Sequence, residues 1–304
     1  MDWIIGIQKA INYIEEHLTE EIDYDAVAAQ SYSSSYHFQR VFSILCGFTV
    51  GEYIRNRRLT LAGIELAADQ AKVIDVALKY GYETPDSFTK AFRKFHGILP
   101  SQVRTNGSNL KSFSPLVLKI SLEGGNIMDY RIEKKPEMLL TGYKRRFTGT
   151  RTPEARSEQE CDFYVNTRMN QYILHGMYRD CDNDYNIMTN FGDDGYDFYI
   201  ASRHDREDAY EDMVDDLKEE AKRFEIIRIP EMLYLICETE RAKWPNLHTD
   251  ALRKKAVSEW LPTSGYELAD APEIELVHWF YKRGDEKLNN SRYIELWLPI
   301  RKVK

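Results

Sequence analysis

The chain has 304 residues, 43% hydrophobic and 30% charged, which is enough apolar material for roughly two domains of about 150 residues and excludes general disorder. No run approaches the ~18 consecutive apolar residues of a membrane helix, and Met1-Asp2-Trp3 does not begin an export signal, so a cytoplasmic protein with no membrane partner is expected. The formal charge is −8, yet residues 36–105 hold ten basic and six acidic residues, against one basic and seven acidic in 1–35. A positive segment inside an acidic chain is a candidate footprint for phosphate, with ordinary fluctuation as the alternative. Cys46, Cys161, Cys181 and Cys237 are scattered with no CxxC pair, so neither a disulfide framework nor a metal site is expected, and no cofactor motif stands out.

Ile4, Ile7, Ile11, Ile14 and Leu18 recur at three- and four-residue steps, the stripe of a first helix. Asp23 or Asp25 starts a short second helix carrying Val27 and Ala28. Ser33, Ser34 and Ser35 offer caps for a third, with Phe38, Val41, Phe42 and Leu45 inward and Gly47 as its stop. Thr49-Val50-Gly51-Glu52 is a capping box that opens a long fourth helix to about Ala68. A fifth helix covers Val73 to Tyr80 and ends at Gly81. Thr84 caps a sixth, with Pro85 at its first position and Phe88, Phe92 and Phe95 as its inner stripe. Pro100 opens a short last turn.

Helix, tight turn, helix therefore occurs twice, the plan in which the second helix of each pair enters a major groove. The connecting fourth helix, about 20 residues, is about 30 Å long at 1.5 Å per residue. Successive major grooves on one DNA face recur every ~34–36 Å, so one chain can place two helices in adjacent grooves. A plain helical bundle has the same periodicity.

Residues 24–105 resemble the DNA-binding domain of AraC/XylS-family transcription regulators. The match runs through Tyr36-His37-Phe38-Gln39-Arg40-Val41-Phe42, Gly47-Phe48-Thr49 to Arg57-Arg58-Leu59, Ile74-Asp75-Val76-Ala77, Tyr80-Gly81-Tyr82-Glu83, Phe88-Thr89-Lys90-Ala91-Phe92-Arg93-Lys94-Phe95 and Pro100-Ser101-Gln102-Val103-Arg104. The resemblance implies that the exposed faces of the third and sixth helices contact bases. Those positions are Tyr36, Gln39 and Arg40 in the third, and Pro85, Asp86, Thr89 and Lys90 in the sixth. Arg pairs bidentately with guanine and Gln with adenine, whereas Pro85 has no donor and Asp86 accepts from cytosine but repels phosphate. The sixth helix is therefore expected to contribute less specificity, or a different one. Arg55, Arg57, Arg58, Arg93 and Lys94 are candidate phosphate contacts, with a solvated helix face as the alternative. His37 suits packing better than metal binding.

Residues 105–126 are rich in Gly, Ser and Asn, so the expected organisation is a DNA-binding domain over 1–106, a linker over 107–126 and a second domain over 127–304. Leu116 to Leu122 suits a strand or an anchored tether. Beyond it, Pro136-Glu137-Met138-Leu139 recurs as Pro230-Glu231-Met232-Leu233, about 94 residues later. Each copy lies in a strand-like run, Ile132 to Phe147 and Ile226 to Glu240. Helical stretches follow near Ser157–His175 and Thr249–Leu261, then strand-like segments at Tyr196–Ser202, Glu273–Tyr281 and Tyr293–Arg301. The expected fold is thus an all-α N-terminal domain with two helix-turn-helix motifs, followed by an α+β domain of two pseudo-symmetric repeats with a ligand-holding cleft between them.

Residues 127–304 resemble the GyrI-like effector-binding domain of Rob-like and drug-sensing regulators, through Trp260 to Glu267, Pro272-Glu273-Ile274-Glu275-Leu276 and Glu295-Leu296-Trp297-Leu298-Pro299-Ile300. Val277 departs from the Tyr often found there. Period-two alternation puts Tyr293, Glu295 and Trp297 on one strand face, with Ile294, Leu296 and Leu298 on the other, packed on helices. A carboxylate buried in the cleft without a partner is costly. A cationic ligand is its natural counter-charge, and the resemblance implies that use. Flanking aromatic faces add about 0.5–2 kcal/mol. The alternative is that Glu295 pairs with a nearby Arg, Lys or Tyr hydroxyl as a structural anchor. Trp260, Tyr266 and Trp279 are weaker lining candidates, and Glu275 is expected to be structural, holding a strand edge.

The function expected is a sequence-specific transcription regulator. Its partners are double-stranded DNA, a small cationic aromatic or amphipathic effector of the multidrug-sensing kind, and RNA polymerase as a further contact. Two alternatives stay open for the second domain. One is a protein-interaction module using its acidic surface between Asp193 and Glu220. The other is a weak hydrolase with Glu295 as general base. The chain has no Ser-His-Asp order, HExxH or Gly-rich phosphate loop, so an enzyme is not expected.

Overall fold

The computed structural model describes residues 2–68, 71–104, 109–117, 128–149, 152–209, 211, 213–280 and 285–303, without the side chains of 2–4. The chain divides into two compact units, one helical and one built on a sheet.

The helical unit holds α1 (Asp2–Glu16), α2 (Tyr24–Ala29), α3 (Ser35–Cys46), α4 (Val50–Ala68), α5 (Val73–Lys79) and α6 (Pro85–His96), then a 3-10 turn at Pro100–Gln102. Its helix ends follow from local chemistry. Asp23 caps α2 by accepting the Asp25 N–H at 3.0 Å. Ser34 accepts the His37 N–H at 3.3 Å ahead of α3. Thr49 and Glu52 close the capping box, each side chain accepting the other's backbone N–H at 3.0 and 2.9 Å. Thr84 accepts the Ser87 N–H at 3.2 Å before Pro85. Gly47, Gly81 and Gly97 follow helices α3, α5 and α6 at φ of 77°, 80° and 85°, a conformation that strains other L-residues. Ile7, Ile11, Ile14 and Leu18 are buried, as are Phe38, Val41, Phe42, Phe88 and Phe92. The Ile4 side chain lies outside the described residues.

Two expectations fail in this unit. Arg57 is buried and pairs with Glu15, 2.8 Å away on α1, while Arg58 donates to the carbonyls of Leu18 and Glu20, so neither is presented to phosphate. The stretch 109–117, expected inside a linker, is pinned along α4. The Phe113 N–H donates to Thr60 Oγ1 at 2.9 Å, Arg57 Nη1 to the Phe113 carbonyl at 2.6 Å, and the Leu116 N–H to the Tyr53 hydroxyl at 3.1 Å. A guanidinium has five donors, more than Glu15 accepts, and the Phe113 carbonyl takes one of the remainder. The Phe113 ring packs against Phe48 and Tyr53. The other linker residues, 118–122 of the suggested tether included, lie outside the described residues.

The second unit runs β1 (Tyr130–Lys135), β2 (Met138–Thr148), α7 (Pro153–Asn166), α8 (Arg168–Tyr178), β3 (Asn183–Gly192), β4 (Gly195–Arg203), α9 (Asp215–Ala221), β5 (Glu225–Ile229), β6 (Met232–Glu238), α10 (Thr249–Lys255), β7 (Tyr266–Leu268), β8 (Glu273–His278) and β9 (Tyr293–Lys302). The antiparallel sheet has the order β1-β6-β9-β8-β3-β4-β2-β5, with β7 added on β9. That order is unchanged when β1, β2, β3 and β4 are exchanged for β5, β6, β8 and β9, so the two repeats are related by a pseudo-twofold. The repeats swap edge strands: β1 pairs with β6, and β5 with β2. Pro136 and Pro230 favour the swap, because each opens a two-residue connection and proline's φ near −65° excludes the positive-φ turn that would fold the two strands into a hairpin.

Both sheet faces are covered. Phe147, Phe198 and Ile200 pack with Phe163 of α7 and Leu174 of α8. Leu140, Ile187, Tyr234, Ile236, Ile274 and Trp297 form a second core on the opposite face. The helical stretch expected at Ser157–His175 is two helices parted at Thr167, and the expected strand from Glu273 ends at His278, with Tyr281 outside the described residues. Strand β8 lies inside the sheet, so Glu275 holds no edge.

Candidate functional site

The two candidate DNA helices differ in what they present. Along α6, Pro85, Asp86, Lys90, Arg93 and Lys94 are exposed and Thr89 is half-buried, while Phe88, Phe92 and His96 face inward. Among the described residues α3 has no exposed position. Tyr36 and Gln39 are half-buried, Gln39 donating to Ser35 Oγ at 3.2 Å. Arg40 is 7% exposed and engaged with the protein, so the expectation that its guanidinium faces outward is corrected. A buried guanidinium must spend its donors on protein acceptors, which removes them from a base edge. Arg55 is exposed, 3.9 Å from Glu52.

In the second unit, alternation along β9 places Tyr293, Glu295 and Trp297 on one face, with Leu276 and His278 of β8 and Ile236 and Glu238 of β6 beside them in register. Glu295 is 9% exposed but not unpartnered, which corrects the expectation of a lone carboxylate. Its Oε2 accepts from Trp297 Nε1 at 2.8 Å and lies 2.7 Å from Arg131 Nη2. His278 Nε2 stands 3.6 Å from Oε1, beyond hydrogen-bond length, and has no hydrogen-bond partner among the described residues. Burial disfavours the charged carboxylate. The neighbouring His278 imidazole, the Trp297 N–H and the Arg131 guanidinium outweigh it and hold the carboxyl down at about 2. A group so acidic is a weak general base at neutral pH.

Arg131 comes from β1, the swapped edge strand of the other repeat. It also bonds Glu133 at 2.6 Å and Glu238 at 3.0 Å. The aromatic rings beside Glu295 carry cations as well. Lys135 Nζ lies 4.6 Å from the centre of the Trp297 ring, and the Arg241 guanidinium 3.5 Å from that of Tyr293. A cavity of about 730 Å³ lies beside Arg131, lined also by Tyr130, Ile236, Glu238, Arg241 and Leu252 but not by Glu295, Tyr293 or Trp297. Ile236 and Glu238 are the register partners of Trp297 and Glu295.

The pseudo-twofold supplies a comparison within the molecule. Register maps Arg131, Glu238 and Glu295 onto Glu225, Lys144 and Tyr199. There Lys144 pairs with Glu225 at 3.4 Å and the Tyr199 hydroxyl donates to Glu225 at 3.3 Å. Among the described residues each edge strand is tied by two ion pairs, Arg131–Glu238 and Lys134–Glu231 in one half, Lys144–Glu225 and Arg228–Glu137 in the other. Where the first half adds a third charged group, Glu295, the second has a neutral phenol.

The remaining candidates lie elsewhere. Trp279 donates its indole N–H to Asp184 at 2.6 Å, on the sheet face opposite Glu295, where His175 also meets Asp184 at 2.8 Å. Trp260 stacks on Tyr266 and packs against Tyr130, which points away from the Arg131 side of β1. Glu275 is buried between Arg253 and Arg156, a structural role. Burial pushes the Cys46 thiol up to about 11 and that of Cys237 up to about 12, so neither is an activated nucleophile. Sequence reasoning missed Arg131, Lys135 and Arg241. Their charges were visible, but their pairing depends on the strand swap.

A double helix-turn-helix unit joined to a two-repeat sheet unit defines a DNA-binding transcription regulator with an effector-binding domain. The integron-associated effector binding protein family matches residues 131–300, more than half of the chain, and a helix-turn-helix domain family matches 27–106. The chain belongs to the former family and carries an AraC-type helix-turn-helix domain ahead of it. Over the helical unit it is 36% identical to the HTH-type transcriptional activator AarP of Providencia stuartii, covering 38% of this chain and 85% of that protein. It is 37% identical to the regulatory protein SoxS of Escherichia coli K12, covering 32% and 92%. With the HTH-type transcriptional regulator YbfP of Bacillus subtilis it shares 39% identity over 33% of this chain, spanning about a third (34%) of that protein. Among solved structures, SAV2435 bound to tetraphenylphosphonium overlaps 57% of this chain and 94% of its own at 16% identity and a TM-score of 0.41.

Proposed function

We propose that this regulator binds duplex DNA foremost through α6, with Tyr36 and Gln39 of α3 as secondary contacts, and that it senses a small aromatic cation seated at Glu295. Lys90 is the base-edge candidate on α6, and Arg93, Lys94 and Arg55 are phosphate contacts. DNA affinity responds to the effector to the extent that the effector binds the DNA-competent state differently. The site of action is the cytoplasm, and RNA polymerase is the further partner of a bound regulator.

The observation that carries the sensing proposal is Glu295 itself, an acid ionised at 9% exposure and flanked on its sheet face by the Tyr293 and Trp297 rings. Titration calorimetry of the full chain with tetraphenylphosphonium, a delocalised aromatic cation, tests it. Glu295→Gln should weaken binding tenfold or more, and equal affinity would remove the carboxylate from recognition. For DNA, an operator selected from random-sequence duplexes should lose affinity on Lys90→Ala. Unchanged affinity and sequence preference would take α6 out of the major groove.

A further inference from the structure

We propose that the cation seat is occupied from within: Arg131 is a displaceable internal counter-ion of Glu295, and a cationic effector binds by exchanging with it. The proposal rests on the reading of Glu295 as that seat and adds what controls access to it.

Every element of the seat already holds a cation of the protein. Arg131 is on the Glu295 carboxylate, Lys135 over the Trp297 ring and Arg241 over the Tyr293 ring. Arg131 is also built to leave. Its side chain is 37% exposed on an edge strand, whereas that of Glu295 is 12% exposed. On release it keeps Glu133 and Glu238, both 37% exposed, so its charge stays compensated. Among the described residues Glu295 then keeps only the Trp297 N–H and the neighbouring His278 imidazole. A nearly buried carboxylate left without a counter-ion is strongly disfavoured, so the exchange proceeds only when a guest brings a positive charge.

The other repeat argues that this arrangement is more than a strand tie. There Lys144–Glu225 holds the edge, and the position equivalent to Glu295 is Tyr199. Arg228–Glu137 adds to that tie as Lys134–Glu231 does in the first half, and Asp197 lies 3.9 Å from Lys144. The edge is thus held with no carboxylate at the position of Glu295, so that partner of Arg131 is additional. Arg131, Glu238 and Arg241 also line the 730 Å³ cavity, which places the guanidinium between that space and the Glu295 carboxylate it pairs with. A strongly hydrated ammonium must shed its water to compete with a guanidinium, whereas a delocalised aromatic cation is weakly hydrated and competes with Lys135 and Arg241 for the Trp297 and Tyr293 faces. Exchange thus selects for the delocalised class.

The test is calorimetry on the full chain with tetraphenylphosphonium and with its uncharged relative triphenylphosphine oxide. Arg131→Ala should bind the cation at least tenfold more tightly, with no gain for the neutral compound. Arg131→Lys should stay close to the parent protein, and the gain should vanish in Arg131→Ala/Glu295→Gln. Arg131→Gln, checked for native circular dichroism, serves if the alanine variant folds poorly. Equal or weaker cation binding by Arg131→Ala, while Glu295→Gln still weakens binding, overturns the counter-ion and leaves Glu295 as the seat. An equal gain for the neutral compound also overturns it, because space rather than charge was then released. If Glu295→Gln binds as the parent does, the underlying reading falls and the counter-ion with it.

Discussion

Arg253 Nη2 and Glu275 Oε1 stand 2.5 Å apart with both side chains at most 3% exposed. Arg156 reaches the same oxygen at 2.6 Å from α7. One carboxylate on β8 therefore fastens a helix from each repeat to the shared sheet. Glu275→Ala strips two guanidinia of their common acceptor in a site closed to water. Breaking a buried pair from one side costs about 3–5 kcal/mol. Urea unfolding of the full chain should show a loss of that order in the sheet unit's transition, and a loss under about 1 kcal/mol would mean that water replaces the carboxylate.

The same cluster makes stability depend on pH. Burial pushes the Glu160 carboxyl up to about 7. Arg156 opposes the shift, while Glu275 and Asp250 reinforce it. The folded state holds this proton more tightly than the unfolded chain, whose carboxyl has the ordinary value of 4.5. Its contribution is therefore complete below pH 4.5 and fades as pH rises toward 7. Glu160→Gln, a mimic of the protonated acid, removes that slope. Between about pH 5 and 8 the unfolding free energy of the parent should fall relative to the variant. A constant difference across that range would show that Glu160 stays ionised.

On the DNA side, Arg93→Ala should weaken binding to all sequences alike and reduce the slope of log affinity against log salt by about 1. Lys90→Ala should cost about 1–3 kcal/mol at the selected operator and relax preference at one base position. Arg40→Ala is expected to lower the thermal midpoint of the helical unit, because its guanidinium is buried. If Arg40→Ala instead changes preference at one base pair with stability intact, α3 presents that side chain when DNA is bound.

The stretch 109–117 behaves as part of the helical unit. The Phe113 and Leu116 amides donate to side chains of α4 and should exchange slowly with deuterium. Phe113→Ala removes the ring that packs on Phe48 and Tyr53 and should raise exchange at both amides by tenfold or more. Exchange in the parent already as fast as in an unfolded peptide would show the contact to be transient.

Much of the helical unit was legible because its signals are local. The Thr49–Glu52 box, the Thr84 cap and Gly47 each act within one turn, and the stripe from Ile7 to Leu18 repeats with the helix period. Arg40 was misjudged because a polar residue on a helix is exposed by default, and its burial depends on what else covers α3. In the sheet unit the echo of Pro136 and Pro230 announced two repeats, and alternation put Glu295 between two aromatic residues. The partner of Glu295 lay beyond reach, since Arg131 is 164 residues away in the chain and arrives through a strand swap.

The amino-acid sequence by itself determined where the helices of the front unit begin and end, that the rear unit is a duplicated α+β fold, and that one strand face carries an acid between two rings. These follow from periodicity and capping, which act over a few residues. Tertiary structure alone decided which charges meet. The swap of β1 and β5 sets Arg131 on Glu295 and Lys144 on Glu225, and Arg40 is buried while Lys90 is left in water. The physical reason is that a charge's state depends on the groups within a few ångströms of it, and in a sheet of swapped strands those groups come from the other half of the fold.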